Sequence, residues 1–292
     1  MNIRTIQAKR ILTKQKRGFL AEGVYPYTHT LSWAAGCGFG KIYCGAYCYA
    51  QKLPNWFYNR EDGEAWGDAV IIKANAPQCL AGELAKAHDR RSLRIFMSSV
   101  TDPYQPLERR YRMTRRCLEV FAQYDDLDLL VIQTRSPLVI DDLDLIAHIP
   151  YAWLSMTIET DCGDLPYGPN RRSIDKRFAA VRAAVDTGVR TQIAVSPCLP
   201  YTDTFADRLI ASGAHKIVVD TFVAGDGSAG KRTAVSPFAA LADYEWRDDD
   251  PARALHDTLQ ARGVSVGWSV DGFASIAPRQ GHDSIGANTN RL

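Results

Sequence analysis

Gly36-Cys37-Gly38-Phe39-Gly40-Lys41-Ile42-Tyr43-Cys44-Gly45-Ala46-Tyr47-Cys48-Tyr49 sets three cysteines on one short loop rich in glycine and aromatics. An alternating segment, Tyr27 to Trp33, leads into it. Three soft thiolates this close suit iron–sulfur or zinc ligation better than disulfides. A closed structural zinc site takes four ligands, so zinc would need a distant fourth group such as His29. A cluster held by three thiolates leaves one iron open to another ligand, and the open position is where chemistry would occur.

Beyond the loop, β-like and helix-like segments alternate. Leu93–Val100, Leu127–Thr134, Ala152–Thr160, Arg190–Ser196, His215–Val223 and Val264–Trp268 read as strands. Leu107–Gln123, Ile140–His148, Ser173–Thr187, Phe205–Ser212 and Pro251–Arg262 read as helices, with glycine after several helix ends. Strands alternating with helices mean βαβ units and a parallel sheet. About six such units predict an α/β fold, a partial (βα)6 TIM-like barrel, with functional groups at the C-terminal strand ends. Four segments follow: a polar, basic arm over 1–25, the barrel over 26–223, a completing stretch over 224–274 and a polar tail over 275–292. The loop Gly225 to Lys231 fails the P-loop spacing and is expected to be mobile, as a lid would be.

The 292 residues carry a formal net charge of +2, which gives no polyanion signal, and 46% of them are apolar, enough for a core. Seven cysteines, four of them scattered singly, do not form a secreted disulfide framework. The basic start lacks an apolar stretch of signal-peptide type, and no run nears the ~20 residues of a membrane span. The expectation is a cytoplasmic protein with reduced thiols. The basic arm and the arginines 109, 110, 112, 115 and 116 read as solvated charge rather than a phosphate surface.

A cysteine triplet after the first strand of a βα barrel, with Tyr47 before the third cysteine, resembles the radical S-adenosylmethionine (SAM) superfamily. Cys44 to Ala50, Lys73-Ala74-Asn75-Ala76-Pro77, Ser99 to Glu108, Thr114 to Val120 and Thr134-Arg135-Ser136 look like the spore photoproduct lyase-like branch. The similarity runs over roughly 25–225. The spacing departs from it: the superfamily has C-x3-C-x2-C, whereas this chain has C-x6-C-x3-C.

The resemblance implies a [4Fe-4S] cluster on Cys37, Cys44 and Cys48. It also implies SAM at the open iron, cleavage to a 5′-deoxyadenosyl radical, and an external one-electron reductant such as flavodoxin or ferredoxin. The reaction would be of lyase or transferase type on an unknown substrate, nucleic acid among the options. Arg135 would face the SAM carboxylate, Glu159 a ribose hydroxyl, and Arg177 would pair with Glu159. Tyr47 and Tyr49 would cover the cofactor or simply pack. Ser98, Ser99, Thr101 and Asp102 at one strand end, and Thr157 at another, offer hydrogen bonds to SAM or cap the following turns. Ser99 stands where the branch's namesake carries a hydrogen-donating cysteine. An O–H bond donates hydrogen atoms poorly, so spore photoproduct is not the expected substrate. Cys162 and Cys198, just past strand ends, are the candidate thiol relays or extra ligands or, more blandly, small buried hydrophobes. The alternative to an enzyme is an iron–sulfur or zinc protein for electron transfer or binding.

Overall fold

The computed structural model describes residues 1–279. Eleven strands are formed there: β1 (Asn2–Ile6), β2 (Leu12–Lys14), β3 (His29–Leu31), β4 (Ala34–Ala35), β5 (Ala69–Lys73), β6 (Arg94–Met97), β7 (Leu129–Thr134), β8 (Ala152–Thr157), β9 (Arg190–Val195), β10 (Lys216–Val219) and β11 (Val266–Trp268).

The main sheet runs β11-β10-β9-β8-β7-β6-β3-β2. From β3 to β11 every pairing is parallel, and β2 adds an antiparallel edge. β2 and β11 share no ladder, so the barrel is partial. The parallel strands are apolar on both faces because helices cover the outside, as in Leu129–Thr134 and Ala152–Thr157. The outer layer includes the helices Ala76–Lys86, Arg171–Asp186 and Asp250–Ala261, which bury Leu80, Leu84, Phe178, Val181, Leu255 and Leu259.

The first 25 residues do not form a free arm. β1 pairs with β5 in parallel, and β4 closes a small three-stranded sheet on the other edge of β5. β2 joins the barrel, while Ile11 and Leu12 are buried with their amides donating to Glu83. The alternation of Asn2–Ile6 satisfies a strand, and what completes it is a partner far along the chain.

The stretch 107–123 is two helices, Glu108–Tyr111 and Met113–Phe121, separated by Arg112 at φ 51°. The Glu108 carboxylate reaches past the break and accepts from the amides of Thr114 (2.9 Å) and Arg115 (3.1 Å). Arg112 and Arg115 both pair with buried Asp142, so part of the basic helix is internally neutralised. The tail begins as packed structure: Arg94 donates to the Ile276 carbonyl at 2.5 Å and the Arg279 amide to Asp128 at 2.8 Å. Positions 280–292 of the expected tail lie outside the described residues.

Candidate active site

The cysteine loop follows β3 and β4 and occupies the C-terminal ends of the barrel strands. Two of its glycines are sterically required. Gly36 has φ +80°, and a Cβ there would stand 2.4 Å from the Ala69 carbonyl oxygen. At Gly45 a Cβ would stand 1.8 Å from the Gly40 carbonyl oxygen. Gln105 holds the loop from the next strand end, its Oε1 accepting from the Gly38 amide at 2.7 Å. Thr101 Oγ1 donates to the Gly36 carbonyl at 2.7 Å and accepts from Gln105 Nε2 at 3.0 Å. The long spacing is thereby absorbed in short turns that fold the loop back on itself.

Cys37, Cys44 and Cys48 line one cavity of about 770 Å³. Burial pushes the Cys37 thiol up to about 12 and raises Cys44 and Cys48 as well, with neighbouring cysteines adding to the shift in Cys37 and Cys44. Thiolates here need a cation for company. Among the described residues no three His, Cys, Asp or Glu side chains converge to hold a single ion. A cubane asks for something wider, since each thiolate takes a different iron, and three thiols around one cavity suit it. His29, the suggested fourth zinc ligand, does not line the cavity; its Nδ1 meets Thr28 Oγ1.

Behind the loop lies a buried charge network. Glu159, fully buried, takes Arg135 Nη1 at 2.5 Å on one oxygen and Arg177 Nη1 at 2.6 Å on the other. Burial pushes the Glu159 carboxyl upward, and the Arg135 guanidinium opposes that shift. Tyr47 donates to Glu159 at 3.3 Å, and Arg177 also contacts the Tyr43 hydroxyl and the Thr157 carbonyl. Arg177 and Glu159 pair as expected, but neither lines the cavity. Arg135 does line it. A guanidinium has five N–H donors and Glu159 engages only one of its nitrogens, which leaves donors for a ligand.

Asp102 is a capping group. Its carboxylate accepts from the Tyr104 amide (2.8 Å), Thr134 Oγ1 (2.7 Å) and the Arg135 amide (2.9 Å), so it fixes the backbone that carries Arg135. Ser98, Ser99, Thr101, Asp102, Thr157 and Tyr49 all line the cavity. Thr157 Oγ1 accepts from Gln133 at 2.8 Å, and the Tyr49 hydroxyl donates to the Ser99 carbonyl at 2.5 Å. Tyr47 packs edge-on against Phe222 and Phe238. Cys162 and Cys198 are not among the lining residues; Cys198 packs against the main core.

Ser196, Asp220, Gly225, Asp226, Gly227 and Arg232 also line the cavity; of these the sequence marked only the 225–231 loop, as a mobile one. The loop over 225–231 is tied rather than free. Asp226 Oδ1 accepts from the amides of Ser228 (2.7 Å) and Gly230 (3.0 Å), and Oδ2 from those of Arg232 and Thr233, both at 3.1 Å. The Asp–Gly–Ser cluster was the available signal, since such residues favour local side-chain-to-backbone turns.

No family model matches the chain. An uncharacterized protein of Methanocaldococcus jannaschii is 29% identical over 167 residues, and the match spans 55% of this chain and 58% of that protein's length. Among solved structures, spore photoproduct lyase complexed with dinucleoside spore photoproduct superposes with a TM-score of 0.59 at 14% identity, covering 91% of this chain and 82% of that one. A variant of the same lyase with bound AdoMet and dinucleoside spore photoproduct gives 0.55 at 16% identity, over 82% and 76%. The fold is that of spore photoproduct lyase.

Proposed function

We propose, on the premise of that shared fold, that the chain is a radical SAM enzyme with a [4Fe-4S] cluster on Cys37, Cys44 and Cys48. One observation carries the reading: three thiols from one loop, two of them buried and one half-buried, line the same cavity as the polar ends of successive parallel strands. When bound, cluster and SAM supply one-electron cleavage to a 5′-deoxyadenosyl radical that abstracts hydrogen from a substrate.

The residues divide into three tasks. Arg135, held in direction by Glu159 and by the Asp102 cap, presents its remaining donors to a carboxylate such as that of SAM. Gln133 and Thr157 add neutral hydrogen-bonding groups on adjacent strands. Tyr47, Phe222 and Phe238 exclude water behind the loop. Ser99 lines the cavity where a thiol would be needed for direct hydrogen return, so spore photoproduct is a poor substrate in this reading. Cys162 and Cys198 are not in the lining, which favours hydrogen return from 5′-deoxyadenosine or from another donor over a thiol relay.

Anaerobically prepared protein should be brown, contain about four irons per chain when fully loaded, and form 5′-deoxyadenosine and methionine on reduction with SAM. The Cys37, Cys44, Cys48 triple alanine variant should do none of these. Stoichiometric zinc in the native protein, or full iron in the triple variant, sinks the proposal.

A further inference from the structure

Asp220 directly follows β10 and lines the same cavity as the three cysteines, yet only 1% of its surface is exposed. Its Oδ2 accepts from Ser196 Oγ at 3.0 Å. Its Oδ1 is buried and has no hydrogen-bond partner among the described residues. Ser269 lies close enough to favour the ionised form without bonding Oδ1. A buried ionised carboxylate with one oxygen unmatched costs more free energy than a neutral side chain at the same place.

The fold makes room for this carboxylate. Gly225 follows on the next short helix, and a Cβ there would stand 2.2 Å from Asp220 Oδ2. Asp102 and Asp226, the other carboxylates of the cavity lining, have both oxygens occupied by donors. Asp220 is therefore the carboxylate left open in the lining, which also holds the unpartnered neutral oxygens of Ser32 and Gln133.

Resting on the reading of this cavity as a substrate chamber, we propose that Asp220 is a substrate-holding residue that accepts from an N–H donor of the substrate, with a protonated amine as the favoured group. Ser196 occupies Oδ2, which leaves Oδ1 to the ligand. Burial lifts the Asp220 carboxyl to about 6, so it is ionised at pH 8 and ready to pair with a cation. The charged and titratable groups around it are Asp249 before the helix Asp250–Ala261, Tyr49 on the cysteine loop and Arg232 in the same lining. Asp249 reinforces the preference for a cation. Arg232, which forms no ion pair among the described residues, opposes it and suits an anionic group elsewhere on the same substrate.

The test uses the full chain prepared anaerobically, with n-butylammonium as probe and butyrate as control, calorimetric titration at pH 8, and iron measured in the same sample. Asp220→Asn should bind the amine about tenfold more weakly or worse, with butyrate unchanged and the melting temperature of the free protein not lowered. Equal amine affinity in wild type and variant overturns the proposal. Ser196→Ala leaves the carboxylate and frees its second oxygen, so it should hold the amine at least as tightly as wild type. Loss of binding in that variant overturns the proposal even if Asp220→Asn fails to fold. Amine binding through Asp220 in a chain without iron would instead count against the cofactor reading alone.

Discussion

Glu159 is a single carboxylate shared by two arginines, and the two ends of the arrangement differ. Arg177 is 2% exposed and touches only protein, while Arg135 reaches the cavity. Removing Arg177 leaves Glu159 with Arg135 alone and also empties a fully buried site, and losses of this kind run to about 3–5 kcal/mol. Arg177→Ala should lower stability by that order in urea unfolding. Arg135→Ala leaves Glu159 paired with Arg177, so it should unfold closer to wild type yet bind SAM at least about tenfold more weakly. If both variants lose stability and keep SAM affinity, Arg135 is scaffold only. The Arg177–Glu159 pairing was legible because both positions match a family pattern. That Glu159 lies behind the cavity wall rather than in it was not, because strand alternation fixes which face a residue takes and not how far a neighbouring arginine covers it.

At the scale of elements, the break at Arg112 turns Glu108 into a cap for the helix that follows. Burial raises the Glu108 carboxyl to about 7, against its ordinary range near the value of a free side chain. The fold thus favours the protonated form. Its contribution is fully present below the unfolded-state pKa and is lost as pH rises through about 7. Wild type should lose on the order of 2 kcal/mol between pH 5 and pH 8 from this group, and Glu108→Gln should flatten that part of the urea-midpoint profile. An unchanged profile would mean that Glu108 does not titrate in this range. The loop tied by Asp226 makes a second prediction: Asp226→Ala should expose Gly227–Ala229 to limited proteolysis while the barrel resists it. The helix and strand periods were readable from apolar spacing. The Arg112 break was not, because a left-handed arginine has no local sequence mark and depends on Glu108 meeting the amides beyond it. The amino-terminal strand was missed for a related reason: its pairing lies at Ala69–Lys73, and short polar strands carry little signal without the partner.

For the whole molecule, the open seam between β2 and β11 is backed by a second cluster in which Tyr27, Phe96 and Phe273 meet edge to face and the Tyr27 hydroxyl donates to the Phe273 carbonyl. Phe273 also lines the cavity. Phe273→Ala should cost about 3–5 kcal/mol and admit a hydrophobic dye to the lumen; a melting temperature within error of wild type would show that the cluster is dispensable.

Part of the lining around the cysteine loop comes late in the chain. Cys37, Cys44 and Cys48 leave the ribosome long before Ser196, Asp220 and Arg232 exist to enclose them. Through that interval the thiols meet solvent, dissolved oxygen and stray soft metals with nothing to shield them. Protein from aerated cultures should therefore carry fewer intact thiols at these three positions than protein from anaerobic cultures, even when both are lysed without air.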